Sequence, residues 1–403
     1  MGGQGLVTAL TEPTAGASPS SPSGAAHPRP ITVADLVDRR SPGFDALRLI
    51  LAFLVLVSHT WPLGGFGEEP SSPIAPRYLT LGGFAVAGFF AMSGLLVGRS
   101  AARRPLAAFT RARAVRIVPA YAVAVAVSAV PVAMLAWLHE RGGFGGFLTA
   151  GADGPLGYIG RALLFPTEMS HGVRGVFVTS TPYGAATGES FVNGSLWTLP
   201  YEIRCYVVVG LLGLAIHRWG ERRSVPLAWA MAGALALGYY QAPELTGFVI
   251  GPLADKTLVM LAFVFLSGTL VGAVGDRIRL LGWMPAVALV VALVAGRTSL
   301  FLSEHLGSAL LALVLPPVAL ALAPVGALLR GVDLSYGIYL YAWPVQQLVA
   351  MYTITASATL FVLLTTLITT VLAAASWYAV ERPTMRRMTR RTNAPPMQPT
   401  RRE

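Results

Sequence analysis

Runs of about twenty apolar residues, divided by short polar stretches rich in arginine, recur along the whole chain. They cover roughly 44–62, 80–98, 115–138, 195–216, 225–241, 257–274, 279–296, 305–323, 334–353 and 357–380. About 20 residues is the length at which an α-helix crosses ~30 Å of hydrocarbon. Backbone groups inside a bilayer must satisfy one another, so helices are expected rather than open strands. The pattern predicts an all-α fold, a polytopic membrane helical bundle of about ten transmembrane helices. The runs at 225–241 and 279–296 are the weakest of the set.

Composition sharpens this reading. Charged residues make up 12% of the 403 residues and hydrophobic ones 54%, with a mean hydropathy of +0.61; soluble domains carry about 25% charged residues. The net charge of +11 rests on arginine, with Lys256 the single lysine. In a soluble protein such a balance would point to nucleic acid. In a membrane protein it points to inner loops, where Arg and Lys collect. Placing the N-terminus inside puts 22 of the 30 basic residues on inner segments and six on outer ones, with Arg48 and Arg204 inside spans. The alternation predicts ten spans with N- and C-termini cytoplasmic, and no nucleic-acid partner.

Three regions follow. Residues 1–40, rich in Pro, Ser, Gly and Ala, read as a disordered cytoplasmic tail without a cleavable signal peptide. Residues 41–383 form the transmembrane domain. Residues 384–403 read as a basic cytoplasmic tail near the anionic inner surface. The single cysteine, Cys205, allows no intramolecular disulfide. No histidine pair has zinc-ligand spacing, so no metal is expected. One outer loop, about 139–194, is long and rich in Gly, and loops of that length are usually functional or disordered.

Ionisable residues inside the apolar runs are the candidate chemistry, because they are costly there and line cavities or pathways. In FDALRLILAFLVLVSHTWPLGG, residues 44–65, Arg48 and His59 lie eleven residues apart. At about 100° per residue they share a helix face, about 16 Å apart, with Ala52 and Val55 between them. Asp45 stands one turn before Arg48 and suits pairing with it. A neutral histidine at that depth suits a general base; snorkelling for Arg48 and a structural hydrogen bond for His59 are the plainer readings. In GSLWTLPYEIRCY, residues 194–206, Glu202 comes to a depth similar to His59 by simple helical rise, which suits orienting an imidazole. A structural contact with Arg204 or the backbone is its alternative. Arg111, Arg113 and Arg116 cluster before the third span and suit either topology or a phosphorylated donor. Gly94 and Gly98 suit close helix packing, with Phe89, Phe90 and Ser93 interrupting the small-residue pattern. Ser335, Tyr336, Tyr339, Tyr341 and Trp343 cluster on the ninth span, and Glu381 closes the tenth.

Taken in order, these motifs resemble the membrane-bound acyltransferase 3 family, the bacterial O-acyltransferases that modify surface sugars. The likeness runs from about Phe44 to Pro383. It rests on Asp45, Arg48 and His59; on Phe89, Phe90, Ser93 and Gly94; and on Arg113, Arg116, Ile117, Pro119 and Tyr121. It continues through Ser195, Leu196, Trp197, Thr198, Leu199 and Glu202, then Ser335, Tyr336, Tyr339 and Leu340, and ends at Glu381 and Pro383. Ala342 departs from it, since many relatives carry a histidine there. Some relatives also carry a C-terminal extracytoplasmic domain, which is not expected here.

The resemblance implies transfer of an acyl group, usually acetyl, from cytoplasmic acyl-CoA to a hydroxyl of a glycan or sugar-bearing acceptor in a bacterial plasma membrane. Acyl-CoA is then a co-substrate, with no permanently bound cofactor. His59 and Glu202 become the catalytic pair, and Arg48, Arg113 and Arg116 the acyl-CoA-binding residues. Asp45, Ser93, Trp197, Tyr336, Tyr339 and Glu381 support them. The small-residue stripe of the first span would give the thioester arm its route. The rival from another class is a transporter or flippase of a lipid-linked sugar, against which stands the lack of repeated halves.

Overall fold

Helix follows helix from residue 33 onward. The computed structural model describes residues 30–69, 80–149, 151–163, 172–251, 253–284, 286–287, 290, 307–353 and 357–392. Among these there is no strand, only an isolated bridge between Thr32 and Arg279. The helices are α1 (Val33–Asp38), α2 (Gly43–Gly64), α3 (Leu81–Arg103) and α4 (Leu106–Val127), which passes through a π turn at Ser128–Val132 into α5 (Ala133–Arg141). Next come α6 (Pro155–Leu163), α7 (Pro182–Thr187), a 3₁₀ turn at Gly194–Thr198, α8 (Leu199–Trp219), α9 (Glu221–Gln241), α10 (Pro243–Ile250) and α11 (Lys256–Ala273). The last are α12 (Gly307–Ala321), α13 (Ala323–Leu328), α14 (Ser335–Tyr352), α15 (Ala358–Ser376), a π turn at Trp377–Glu381 and α16 (Arg382–Thr392).

Six continuous helical stretches are long and apolar enough to cross a membrane: Gly43–Gly64, Leu81–Arg103, Leu106–Arg141, Gly194–Trp219, Lys256–Ala273 and Ala358–Met388. Three further helices, α9, α12 and α14, stand where sequence predicts spans. Half of the run at 279–296 falls outside the described residues.

Local signals explain the ends. Thr80 caps α3 by accepting from the Gly83 amide at 3.0 Å. Asp255 caps α11 by accepting from the Leu258 amide at 2.9 Å. Gly65 ends α2 at φ +73°, a left-handed conformation that glycine adopts without strain. Pro131 has no amide to continue the ladder, and the chain takes a π turn around it.

The core is the crossing of α3 with α11, the most extensive pairing, flanked by α2 against α3 and by α14 against both α2 and α15. Small residues permit the first crossing. A Cβ on Gly94 would lie 1.8 Å from the Phe265 carbonyl oxygen, and one on Gly268 2.0 Å from that of Ala91. The Thr269 hydroxyl donates to the Gly94 carbonyl across it at 3.1 Å.

One expectation changes, and two further segments prove to be helical. The stretch assigned to a disordered tail is helical over Val33–Asp38, with its amides at Val33 and Ala34 bonded to Ile278 and Gly275 carbonyls. A Thr32–Asp35 capping box and buried Val33 and Leu36 account for that order. Residues before it lie outside the described set. The basic stretch after Pro383 continues as α16 to Thr392. The long segment 139–194 carries two helices among its described residues, and its Phe147, Tyr158, Phe177 and Val192 are fully buried as part of the main core. Glu140 fastens it, accepting from the Phe177 amide at 2.8 Å and the Ser180 hydroxyl at 2.5 Å.

Candidate active site

Two cavities sit at opposite ends of the bundle. The first, of about 510 Å³, lies where α2, α4 and α14 begin and α3 ends. It gathers Asp45, Arg48, Phe89, Ser93, Arg104, Arg113, Arg116, Glu202, Tyr206, Asp333, Tyr336 and Tyr339. The second, of about 560 Å³, lies where α3 and α11 begin. It is lined by Ser58, His59, Thr80, Trp197, Lys256, Thr257 and Ser308 among others.

Charge in the first cavity is unevenly spent. Asp333 stands just ahead of α14, where its Oδ1 accepts from the Ser335 amide at 3.2 Å and hydroxyl at 2.5 Å. Its Oδ2 lies 2.5 Å from Arg116 and 3.9 Å from Arg48. Arg48 also meets Asp45 at 2.9 Å. Arg116 meets Glu381 at 3.5 Å, and the π turn before α16 buries that carboxylate against the Ser376 hydroxyl at 3.3 Å. Burial alone would raise the Asp333 carboxyl. The Arg116 and Arg48 guanidiniums and the Ser335 hydrogen bonds outweigh it and hold the group below the usual carboxylate range.

Arg48 and Arg116 are thus matched by acids within the protein. Arg104 and Arg113 form no ion pair among the described residues. The Arg113 guanidinium lies over the Tyr206 ring, 5.9 Å from its centre, and its Nε is buried with no hydrogen bond. Arg104 is exposed at the cavity mouth. Met385 and Met388, from α16, complete that mouth.

Glu202 faces this first cavity, and its Oε1 accepts from the Tyr206 hydroxyl. His59 faces the second. The expected pairing of Glu202 with His59 is therefore not what the structure contains. Equal helical rise sets depth along the bundle but not the cavity a side chain enters, and Glu202 is held on the arginine side by Tyr206, one turn further along the same helix.

Of the small-residue stripe of α2, Ala52 is buried against Ile338 and Ala342 of α14, while Val55 lines the second cavity beside His59. His59 Nδ1 is buried without a hydrogen bond, leaving Nε2 as the nitrogen available to the second cavity. Trp343 meets the imidazole edge-on at 4.9 Å and donates to the Phe191 carbonyl at 3.2 Å, which ties the ring to the segment before α8. Gln346 ties α14 to α2 by donating to the Leu56 carbonyl at 2.9 Å.

The remaining expected residues divide between the cavities. Ser93, Tyr336 and Glu381 belong with the arginines, Tyr336 donating to the Ile117 carbonyl at 3.2 Å. Trp197 stands with His59, and Tyr339 reaches both cavities. Sequence reasoning missed Asp333, Tyr206, Arg104, Met385 and Met388. A lone acid two residues before a span start was the signal for Asp333. Among the described residues, no three His, Cys, Asp or Glu stand close enough to hold a metal ion.

The acyltransferase-domain profile of the acyltransferase 3 family matches residues 41–378. The chain belongs to that family. It is similar to an O-acetyl transferase of Shigella phage Sf6, 28% identical over 315 residues, which cover 77% of this chain and 86% of that protein. It is also similar to nodulation protein 10 of Rhizobium leguminosarum bv. viciae, 30% identical over 362 residues, covering 85% and 93%. No solved structure matches the chain significantly. This member of the acyltransferase 3 family is an O-acyltransferase. Its apolar helices make it a multi-pass membrane protein.

Proposed function

We propose that this O-acyltransferase moves an acyl group, acetyl in the first instance, from acyl-CoA at its arginine-lined end to a hydroxyl of a sugar-bearing acceptor at the opposite end. The observation that carries this reading is the separation of tools: arginines that form no ion pair among the described residues in one cavity, an accessible imidazole in the other. Arg104 and Arg113 take the donor's phosphates, since guanidinium forks match phosphate oxygens. Arg48 and Arg116, neutralised by Asp45, Asp333 and Glu381, hold the cavity's shape. Glu202 and Tyr206 set the position of Arg113. Ten spans across a bacterial plasma membrane, both termini cytoplasmic, put the arginine-lined end on the side where acyl-CoA is made.

In the second cavity His59 Nε2 takes the proton of the acceptor hydroxyl as its oxygen adds to the thioester carbonyl. The carbon–sulfur bond then breaks, the ester forms, and the proton leaves with the thiolate. Trp197 offers a flat apolar face for a sugar ring. The test is turnover of acetyl-CoA by purified protein given membrane glycans. His59→Ala should abolish acetyl transfer while leaving acetyl-CoA binding intact; full transfer by this variant overturns the assignment.

A further inference from the structure

The two cavities meet at two side chains, Val86 and Tyr339, which line both. Tyr339 is buried, and its ring meets Phe89 edge-on at 6.1 Å. Its hydroxyl lies 2.5 Å from that of Thr198. Thr198 lines the arginine cavity, whereas its neighbour Trp197 lines the His59 cavity. Both belong to the 3₁₀ turn Gly194–Thr198, a geometry with weaker hydrogen bonds than the α-helix that follows.

Val86 and Tyr339 stand where the two cavities adjoin, and Ala52 of the α2 stripe beside them is packed against α14. We propose that Tyr339, latched by Thr198, is the partition between the donor and acceptor cavities, and that an acceptor seated on Trp197 opens it. The proposal rests on the donor and acceptor assignment above. A thioester held behind a closed partition is shielded from water entering on the acceptor side. One hydrogen bond closes it, worth about 1 kcal/mol net, so a ligand that shifts the 3₁₀ turn has enough energy to release it. Consecutive residues facing opposite cavities make the acceptor's arrival the signal. Water reaching an unguarded thioester adds to its carbonyl, the carbon–sulfur bond breaks, and acetate and free CoA thiol leave.

Radiolabelled acetyl-CoA given to inverted membrane vesicles containing the full chain tests this. Label released as acetate and label fixed in carbohydrate are counted separately. Thr198→Val and Tyr339→Phe remove the latch at nearly constant shape and should each raise the ratio of acetate to fixed label about fivefold. Val86→Ala thins the partition without touching the latch and should raise the ratio too. Thr198→Ser keeps the hydroxyl and should behave as the parent. An unchanged ratio across the first three variants overturns the partition. So does an equal fall in both products, which would make the hydroxyl pair part of the reaction itself. Absence of acetyl-CoA consumption by the parent chain overturns the donor assignment instead, and the partition with it.

Discussion

Arg113 and Arg116 sit three residues apart on α4, line the same cavity, and differ in what answers their charge. Arg116 has Asp333 at 2.5 Å and Glu381 at 3.5 Å. Arg113 has the face of Tyr206 and a buried, unbonded Nε. Substitutions should therefore separate. Arg113→Gln should raise KM for acyl-CoA about tenfold with kcat and the unfolding midpoint held, because it removes a charge-assisted contact to the donor alone. Asp333→Asn should instead lower stability by about 2 kcal/mol, since a partly buried Arg116 loses its nearer carboxylate and keeps only Glu381. Steady-state kinetics and thermal unfolding in detergent read the two effects. The acid dependence has a definite sign. Asp333 binds its proton less readily folded than unfolded, so its contribution is complete above the unfolded value near 3.9 and is lost as pH falls through the lower folded value. The Asp333→Asn protein should lack this component of acid unfolding.

At the scale of elements, the α3–α11 crossing is set by glycine. Gly94→Ala places a methyl 1.8 Å from the Phe265 carbonyl oxygen. The helices must separate, at a cost of about 1–3 kcal/mol, and the Thr269 hydroxyl loses its bond to the Gly94 carbonyl. The measurement is thermal unfolding against Gly98→Ala, whose nearest neighbours are side-chain atoms of Thr269 that can rotate away; the Gly94 variant should unfold at the lower temperature. This crossing was legible in sequence as small residues at four-residue spacing. So were the helices around it, because length and apolarity alone define a span.

What stayed hidden was partnership. Arg116 and Asp333 are 217 residues apart, and nothing local to either names the other. Helical rise gave Glu202 and His59 a similar depth, but depth does not choose the cavity: Glu202 lines the arginine side and His59 the other. The disorder assigned to residues 31–40 failed for a similar reason: the capping box at Thr32 matters only because Gly275 and Ile278 arrive to accept the first amides of α1.

At the scale of the whole molecule, the antiparallel run of helices turns chain direction into sidedness. The arginine-cavity residues on α2 and α14 lie near a helix start, those on α4 lie in its first half to middle, and Leu96, Val97 and Arg104 lie near the end of α3. The His59 cavity reverses this, with the start of α3 and of α11. If the bundle spans the bilayer as proposed, one cavity must open to each side. Cysteine labelling reads this directly, because the native Cys205 is buried and silent. Arg104→Cys and Lys256→Cys both place a thiol at an exposed position, one per cavity. A membrane-impermeant maleimide added to intact cells should label Lys256→Cys and spare Arg104→Cys. Inverted vesicles should reverse the pattern. Acetyl-CoA should slow labelling of Arg104→Cys and leave Lys256→Cys unaffected, since the donor's phosphates occupy only the arginine end. Labelling of both thiols from one side would remove the sidedness. Protection of Lys256→Cys by acetyl-CoA would exchange the roles of the two cavities and leave His59 on the donor side.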